Sequence, residues 1–238
     1  MKQQHNSQEA LASAPLWPLM LKLALPAVVA QVVNLLYNIV DRMYIGRIPG
    51  EGDLALTGLG LTFPVILCIS AFSALVDTGG APIAAIFLGK KDEDSAQKIL
   101  GNGVFLLLVF AGVLTTLFFT IKKPLLYLVG ASEYTFSYAD TYLSIYLTGT
   151  LFVLLSMGLN SYISCQGKSR VAMCSVLIGA VCNIALDPIL IFALDMGIAG
   201  AALATVISQG ISALRWAFCV PATRCCASVC AISGPAGA

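Results

Sequence analysis

Residues 23–41 read LALPAVVAQVVNLLYNIVD. Between Lys22 and Asp41 no side chain carries a charge, and at about 1.5 Å of rise per residue this run crosses most of a hydrocarbon core of ~30 Å. Its polar residues Asn34, Tyr37, Asn38 and Asp41 fall at i, i+3, i+4 and i+7, so they form one stripe along a helix. The stretch therefore reads as a spanning helix with one polar edge, and it sets the pattern for the rest of the chain. Charged residues delimit five further apolar runs, at 54–76, 99–121, 141–167, 171–186 and 196–214. These are too long, and alternate too little, for the strands of a β-barrel. The fold class is an all-α membrane protein, a bundle of six transmembrane helices.

Composition agrees. Of 238 residues 58% are hydrophobic and 11% charged, with a mean hydropathy of +0.89, against roughly one-quarter charged residues in a soluble domain. A net charge of +1 with no basic block lacks the footprint of a nucleic-acid binder. Residues 1–15 lack the basic, apolar and cleavage-site order of a secretory signal and read as a cytosolic lead-in to a lobe at 16–220. Cys68, Cys165, Cys174, Cys182 and Cys219 lie in or beside apolar runs, where cysteine packs as a small hydrophobe. Cys225, Cys226 and Cys230 crowd the end without histidine or a second CxxC, a weak zinc signal. His5 is the one histidine, and no HExxH, GxSxG or Ser/Lys pair occurs in the spans, so an intramembrane enzyme is disfavoured.

Positive residues favour the cytoplasmic side. With the N-terminus inside, Lys2, Lys22, Lys90, Lys91, Lys98, Lys168, Arg170, Arg215 and Arg224 are cytoplasmic, against Arg42, Arg47, Lys122 and Lys123 outside. Both termini are thus expected inside, with Trp17 and Trp216 as interfacial anchors or plain lipid contacts. Residues 47–53 and 89–94 are turn-rich and charged loops. Asp94 or Ser95 is expected to cap the third helix, and the carboxylates at 92–94 read as a solvated loop rather than a metal cluster. Asp77, followed by Thr78-Gly79-Gly80, reads as the cytoplasmic end of the second helix. No internal repeat is evident.

Two carboxylates interrupt apolar helices, Asp41 and Asp187, and an ionisable residue inside a membrane is a functional-site hypothesis by default. Asp41 follows Lys22, and Asp187 follows Arg170, by roughly 28 and 26 Å of helix, which predicts a similar depth toward the outer leaflet. Asn183 shares a face with Asp187 at i−4, and Thr205 reaches the same zone from the sixth helix. Two carboxylates, an amide and a hydroxyl suit a hard cation such as Na⁺, or a shared proton, better than a soft metal. A carboxylate pair that holds one proton between its members and releases it when a cation arrives is the chemistry of an ion-coupled exchanger. The plainer alternatives are hydrogen-bonded helix packing, which serves equally for Asn34, Asn38 and Asn160, or an interfacial Asp41–Arg42 pair. Pro26, Pro64, Pro82 and Pro188 each remove a helix hydrogen bond. A break at Pro188 would free the carbonyl of Ile184 as a further ligand. Phe63, Phe72 and Phe152 suit hydrophobic cations, lipid or packing alike.

These residues in this order resemble the first half of a multidrug and toxic compound extrusion (MATE) transporter, in its DinF-like and MepA-like bacterial branch. The carriers are Leu25-Pro26-Ala27, Asp41-Arg-Met-Tyr-Ile-Gly46, Gly79-Gly-Ala-Pro82 with Leu88-Gly-Lys-Lys-Asp92, Gln166-Gly-Lys168 and Asn183-Ile-Ala-Leu-Asp-Pro188. The resemblance covers about residues 14–220. It implies Na⁺- or H⁺-coupled antiport of small organic substrates, cations among them, by alternating access across the bacterial inner membrane, with no other cofactor. It also implies a second six-helix lobe, or another copy, as partner. The family's cation site falls on Asp41, Asn183, Asp187 and Thr205, with Tyr37 and Asn160 in the surrounding network and Pro26 at the helix bend. Residues 221–238 do not resemble the family's linker, which suggests a truncated or frame-shifted reading frame. Two alternatives stay open: an exporter of lipid-linked oligosaccharide or polysaccharide, which would place basic residues in the cavity, and a non-transporting fragment or partner-binding half.

Overall fold

The computed structural model describes residues 16–90, 92–166 and 169–219, with side chains from 24 to 214 among these. The expected lead-in, the anchors Trp17 and Trp216 and the tail with its cysteines lie outside the side chains so described. In lipid, backbone N–H and C=O groups must pair within the segment, and the described residues form helices joined by short turns. These are α1 (Leu16–Ile45), α2 (Gly52–Gly89), α3 (Glu93–Val129), α4 (Glu133–Thr148), α5 (Thr150–Gly158), α6 (Asn160–Cys165), α7 (Ser169–Pro188) with a π-turn at Ile189–Ala193, and α8 (Gly197–Cys219). Five helices are long and apolar enough to cross a membrane. A sixth span is the pair Glu133–Thr148 and Thr150–Cys165, bent by 60°.

The structure corrects the sequence reading in four places. The fourth span is broken at Gly149 rather than continuous. α3 is capped by Asp92, whose carboxylate accepts from the Ser95 N–H at 3.0 Å, rather than by Asp94 or Ser95. The chain does not break at Pro188: the helix continues as one π-turn, with the Leu194 N–H donating to the Ile189 carbonyl at 2.9 Å. Finally, Asp77 lies well inside α2, which continues to Gly89. The glycine after it is a packing glycine: a Cβ on Gly80 would collide with the Tyr162 hydroxyl. Tyr162 fills the space left by Gly80 and Gly103 and donates to the Val76 carbonyl at 3.2 Å.

Asp92 lies in the loop outside the spans, and the Ser95 hydroxyl and N–H hold its carboxyl below the usual carboxylate range. That cap is therefore formed at neutral pH and is lost as acidification protonates Asp92. At the other end of α3, Gly130 takes the left-handed conformation (φ 107°), and Ser132 and Thr135 form a reciprocal capping box for α4. Lys122 ties α3 to α4, with its Nζ 2.8 Å from Asp140 and 2.7 Å from the Ser144 hydroxyl.

α2 pairs with α3 and packs on α4, α5 and α6, while α8 packs on α4, α5 and α7. Fully buried Ile69, Leu107, Leu143, Leu147 and Leu154 fill this block. Ala201, Ala202 and Ala204, all 0% exposed, let α8 approach closely, the small-residue packing that lipid favours. α1 differs: it lies along α7 and barely touches α2 or α8, and Leu25, Val28, Val32, Leu35, Leu36 and Ile39 are exposed along it.

The π-turn rests on α8 at Gly200, where a Cβ would lie 2.7 Å from the Leu190 carbonyl carbon. Gly200→Val is expected to cost about 1–3 kcal/mol through overpacking, seen as a lower thermal midpoint of the purified chain in detergent, whereas Gly112→Ala, with nothing within 4 Å of its Cβ, should leave the midpoint unchanged.

Candidate functional site

Because α1 leans on α7 and away from α2, a cavity of about 560 Å³ remains between them. One wall is the polar stripe of α1: Asn34, Tyr37, Asn38 and Asp41 all line it, as helical spacing predicts. Asn38 donates to the Asn34 carbonyl at 2.7 Å. α1 runs unbroken through Pro26, which also lines the cavity.

Behind this wall the structure brings together three of the four proposed cation ligands. Asp41 is 7% exposed, Asn183 1% and Asp187 0%, and the Asp41 charge is felt at Asp187 across the α1–α7 contact. Within α7, the Asn183 amide lies 3.4 Å from Asp187 Oδ1 as a long hydrogen bond. Asp41 Oδ1, Asn183 Oδ1 and Asp187 Oδ2 are buried with no hydrogen-bond partner. These three orphaned oxygens, on the facing helices α1 and α7, are of the type that suits a proton or a hard cation. Asp41 lines the cavity, whereas Asn183 and Asp187 do not.

Thr205 joins from α8. Its hydroxyl donates to the Ala201 carbonyl at 3.1 Å, and it faces the Tyr142 phenol, which in turn faces Asp41. Tyr142 and Tyr146 are stacked, with ring centroids 6.3 Å apart, and both line the cavity. Tyr37 approaches Asn38, Asp41 and Gln209. Arg42 is exposed, with its guanidinium 5.9 Å from the centroid of the Phe63 ring. Asn160 lines another part of the cavity beside Ser161.

Tyr142, Tyr146 and Gln209 are cavity residues that the sequence reading did not single out, and Asp77, read there as a helix end, lines the cavity too. The signal for the tyrosines was their i, i+4 spacing on an otherwise apolar span. Among the other aromatics, Phe63 lines the cavity, while Phe72 packs edge-on against Phe110 at 5.1 Å. Cys68, Cys165, Cys174 and Cys182 are free thiols, partly buried within the helices.

A polytopic helical bundle with carboxylates buried beside a polar cavity is the architecture of a membrane transporter. The chain belongs to the MatE family, whose model matches residues 26–189; proteins of this family are transporters and not enzymes. It is 29% identical over 195 residues to the multidrug export protein MepA of Staphylococcus haemolyticus, covering 82% of this chain and 43% of that protein. A MATE crystal structure in a bent conformation superposes with a TM-score of 0.79 at 27% identity, over 86% of this chain and 45% of that one. An outward-facing multidrug resistance MATE transporter of the MOP superfamily gives 0.79 at 26% identity, over 92% and 46%. The chain thus spans less than half the length of these relatives.

The wall predicts its own accessibility. In a variant lacking the native cysteines, Ser164→Cys, on the cavity lining, should react with a membrane-impermeant thiol reagent at least about tenfold faster than Ala204→Cys, which is 0% exposed. Equal rates, read by mass shift, would contradict a water-accessible cavity.

Proposed function

We propose that this chain forms one six-helix lobe of a cation-coupled multidrug efflux antiporter in a bacterial inner membrane, working by alternating access with both termini cytoplasmic. Its partner is a second six-helix lobe or another copy, and its substrates are small organic cations. Asp41 and Asp187 are the coupling carboxylates for Na⁺ or H⁺, with Asn183 and Thr205 as neutral ligands. Tyr37, Asn34 and Asn160 form the supporting network, and Pro26 is the bend in α1. The observation that carries this reading is the group of unpartnered buried oxygens on Asp41, Asn183 and Asp187 at the wall of a cavity in a MatE-family bundle. Relatives described as a multidrug export protein and as an outward-facing transporter support both the cargo and the cycle.

The coupling mechanism follows from competition for those oxygens. A cation entering past Asp41 needs both carboxylates ionised, and protons on the pair displace it. Because α1 carries Asp41 and is loosely held apart from its α7 contact, occupancy of the site is linked to how α1 sits against α7. The oligosaccharide-exporter alternative is less well supported, because among the described lining residues Arg42 is the one basic side chain.

Asp41→Asn or Asp187→Asn, made in a form carrying both lobes, is expected to lower ion-gradient-driven drug efflux from vesicles at least about tenfold with insertion unchanged. Thr205→Ala should give a smaller loss, since it removes one neutral ligand. Native efflux in both carboxylate variants would refute the site assignment.

A further inference from the structure

Apart from its packing along α7, α1 has few attachments to the rest of the bundle. Its outer end is fixed by the fully buried Ile45 and by Tyr44, which stands edge-on to Phe192 of the π-turn with ring centroids 6.3 Å apart. Farther in, on the cavity side, α1 reaches across to α8 through Tyr37, whose phenol faces the Gln209 amide. The register of the two helices agrees with this contact. Tyr37 lies one turn inward of Asp41 and Gln209 one turn inward of Thr205, and Tyr142 faces both Asp41 and Thr205.

Gln209 is held in turn from its other side. Its Oε1 accepts from the Ser156 hydroxyl, which is shared with the Val153 carbonyl at 3.3 Å. Ser156 belongs to α5, just past the break at Gly149. One turn before Gln209, Val206 occupies the notch where a Cβ on Gly149 would stand, so the break that bends the fourth span also brings α5 and α8 together beside Gln209. With Oε1 engaged by Ser156, the two amide N–H groups of Gln209 are left to donate, and the Tyr37 phenol oxygen is an acceptor that faces them.

We propose that Gln209 is a positioning residue: held by Ser156, it latches α1 to α5 and α8 through the Tyr37 phenol and so fixes the turn of α1 that carries Asp41. An apolar side chain of the same length removes the partner of the phenol and leaves α1 supported by α7 and by its outer end alone. Because Asp41 is on α1 while Asn183 and Asp187 are on α7, loosening α1 also loosens the spacing of the proposed ion ligands. This last consequence rests on the coupling reading, whereas the latch does not.

The test uses the full 238-residue chain in lipid nanodiscs, in a variant lacking the native cysteines, with spin labels on Val28→Cys in α1 and Leu214→Cys in α8, sites exposed by 57% and 58%. The distribution of α1–α8 distances is read by double electron–electron resonance. Gln209→Met and Tyr37→Phe should each broaden it at least about twofold, and the double variant should broaden it no further, as removal of two ends of one contact requires. In the same samples each single variant should lower ²²Na⁺ affinity by about fivefold, and the double variant by about fivefold rather than ~25-fold. Ser156→Ala, which frees the Gln209 amide, should broaden the distribution in the same sense and keeps the test open if Gln209→Met does not fold. An unchanged distribution in Gln209→Met and Tyr37→Phe, additive effects in the double variant, or native Na⁺ affinity in both single variants would each overturn the proposal. Absence of Na⁺ binding by the native chain rejects the coupling assignment, and the distance measurement then decides the latch by itself.

Discussion

Hydrocarbon supplies no hydrogen bonds, so every polar group that this chain carries into the bilayer must find a partner within the protein or face an aqueous space. The backbone meets this demand by being helical, and past Pro188 it continues in a π-turn that pairs Leu194 with Ile189. Serine and threonine hydroxyls meet it by donating to carbonyls of their own or neighbouring helices. What remains is a short group of oxygens on Asp41, Asp77, Asn183 and Asp187. In a solvent this unforgiving, an unsatisfied buried group marks the place where a ligand or a proton belongs.

The number and approximate limits of the spans were legible because charge marks the edges of apolar runs, and this physics acts on each segment independently. The polar stripe of α1 was legible for a related reason: helical spacing places Asn34, Tyr37, Asn38 and Asp41 on one edge without any knowledge of the neighbours. The break at Gly149 and the inner position of Asp77 were not legible. Both depend on tertiary contact, Asp77 most clearly, since Gly79-Gly80 looks like a helix end until Tyr162 is seen occupying the space above Gly80. Tyr142 escaped for the same reason: only its approach to Asp41 and Thr205 distinguishes it from a core tyrosine.

The grouping of Asp41 with Asp187 lies between these cases. Counting residues from the nearest charge gave equal depth, but depth alone leaves the angle around the bundle open. The packing of α1 along α7 supplies that angle. It also accounts for the unequal exposure of the proposed ligands: Asn183 and Asp187 lie behind the contact, and Asp41 alone of the three reaches the cavity.

Tyr162 has a wider consequence. With Gly80 and Gly103 closed around it and its hydroxyl on the Val76 carbonyl, it joins α2, α3 and α6 into one closely packed block, and Asp77 is mounted on that block. The opposite wall, α1, rests chiefly on α7. The cavity thus has a hard face and a soft face. Anything that enters the cavity meets a closely packed wall on one side and a helix supported chiefly by one neighbour on the other, so the two walls differ in how far they can yield.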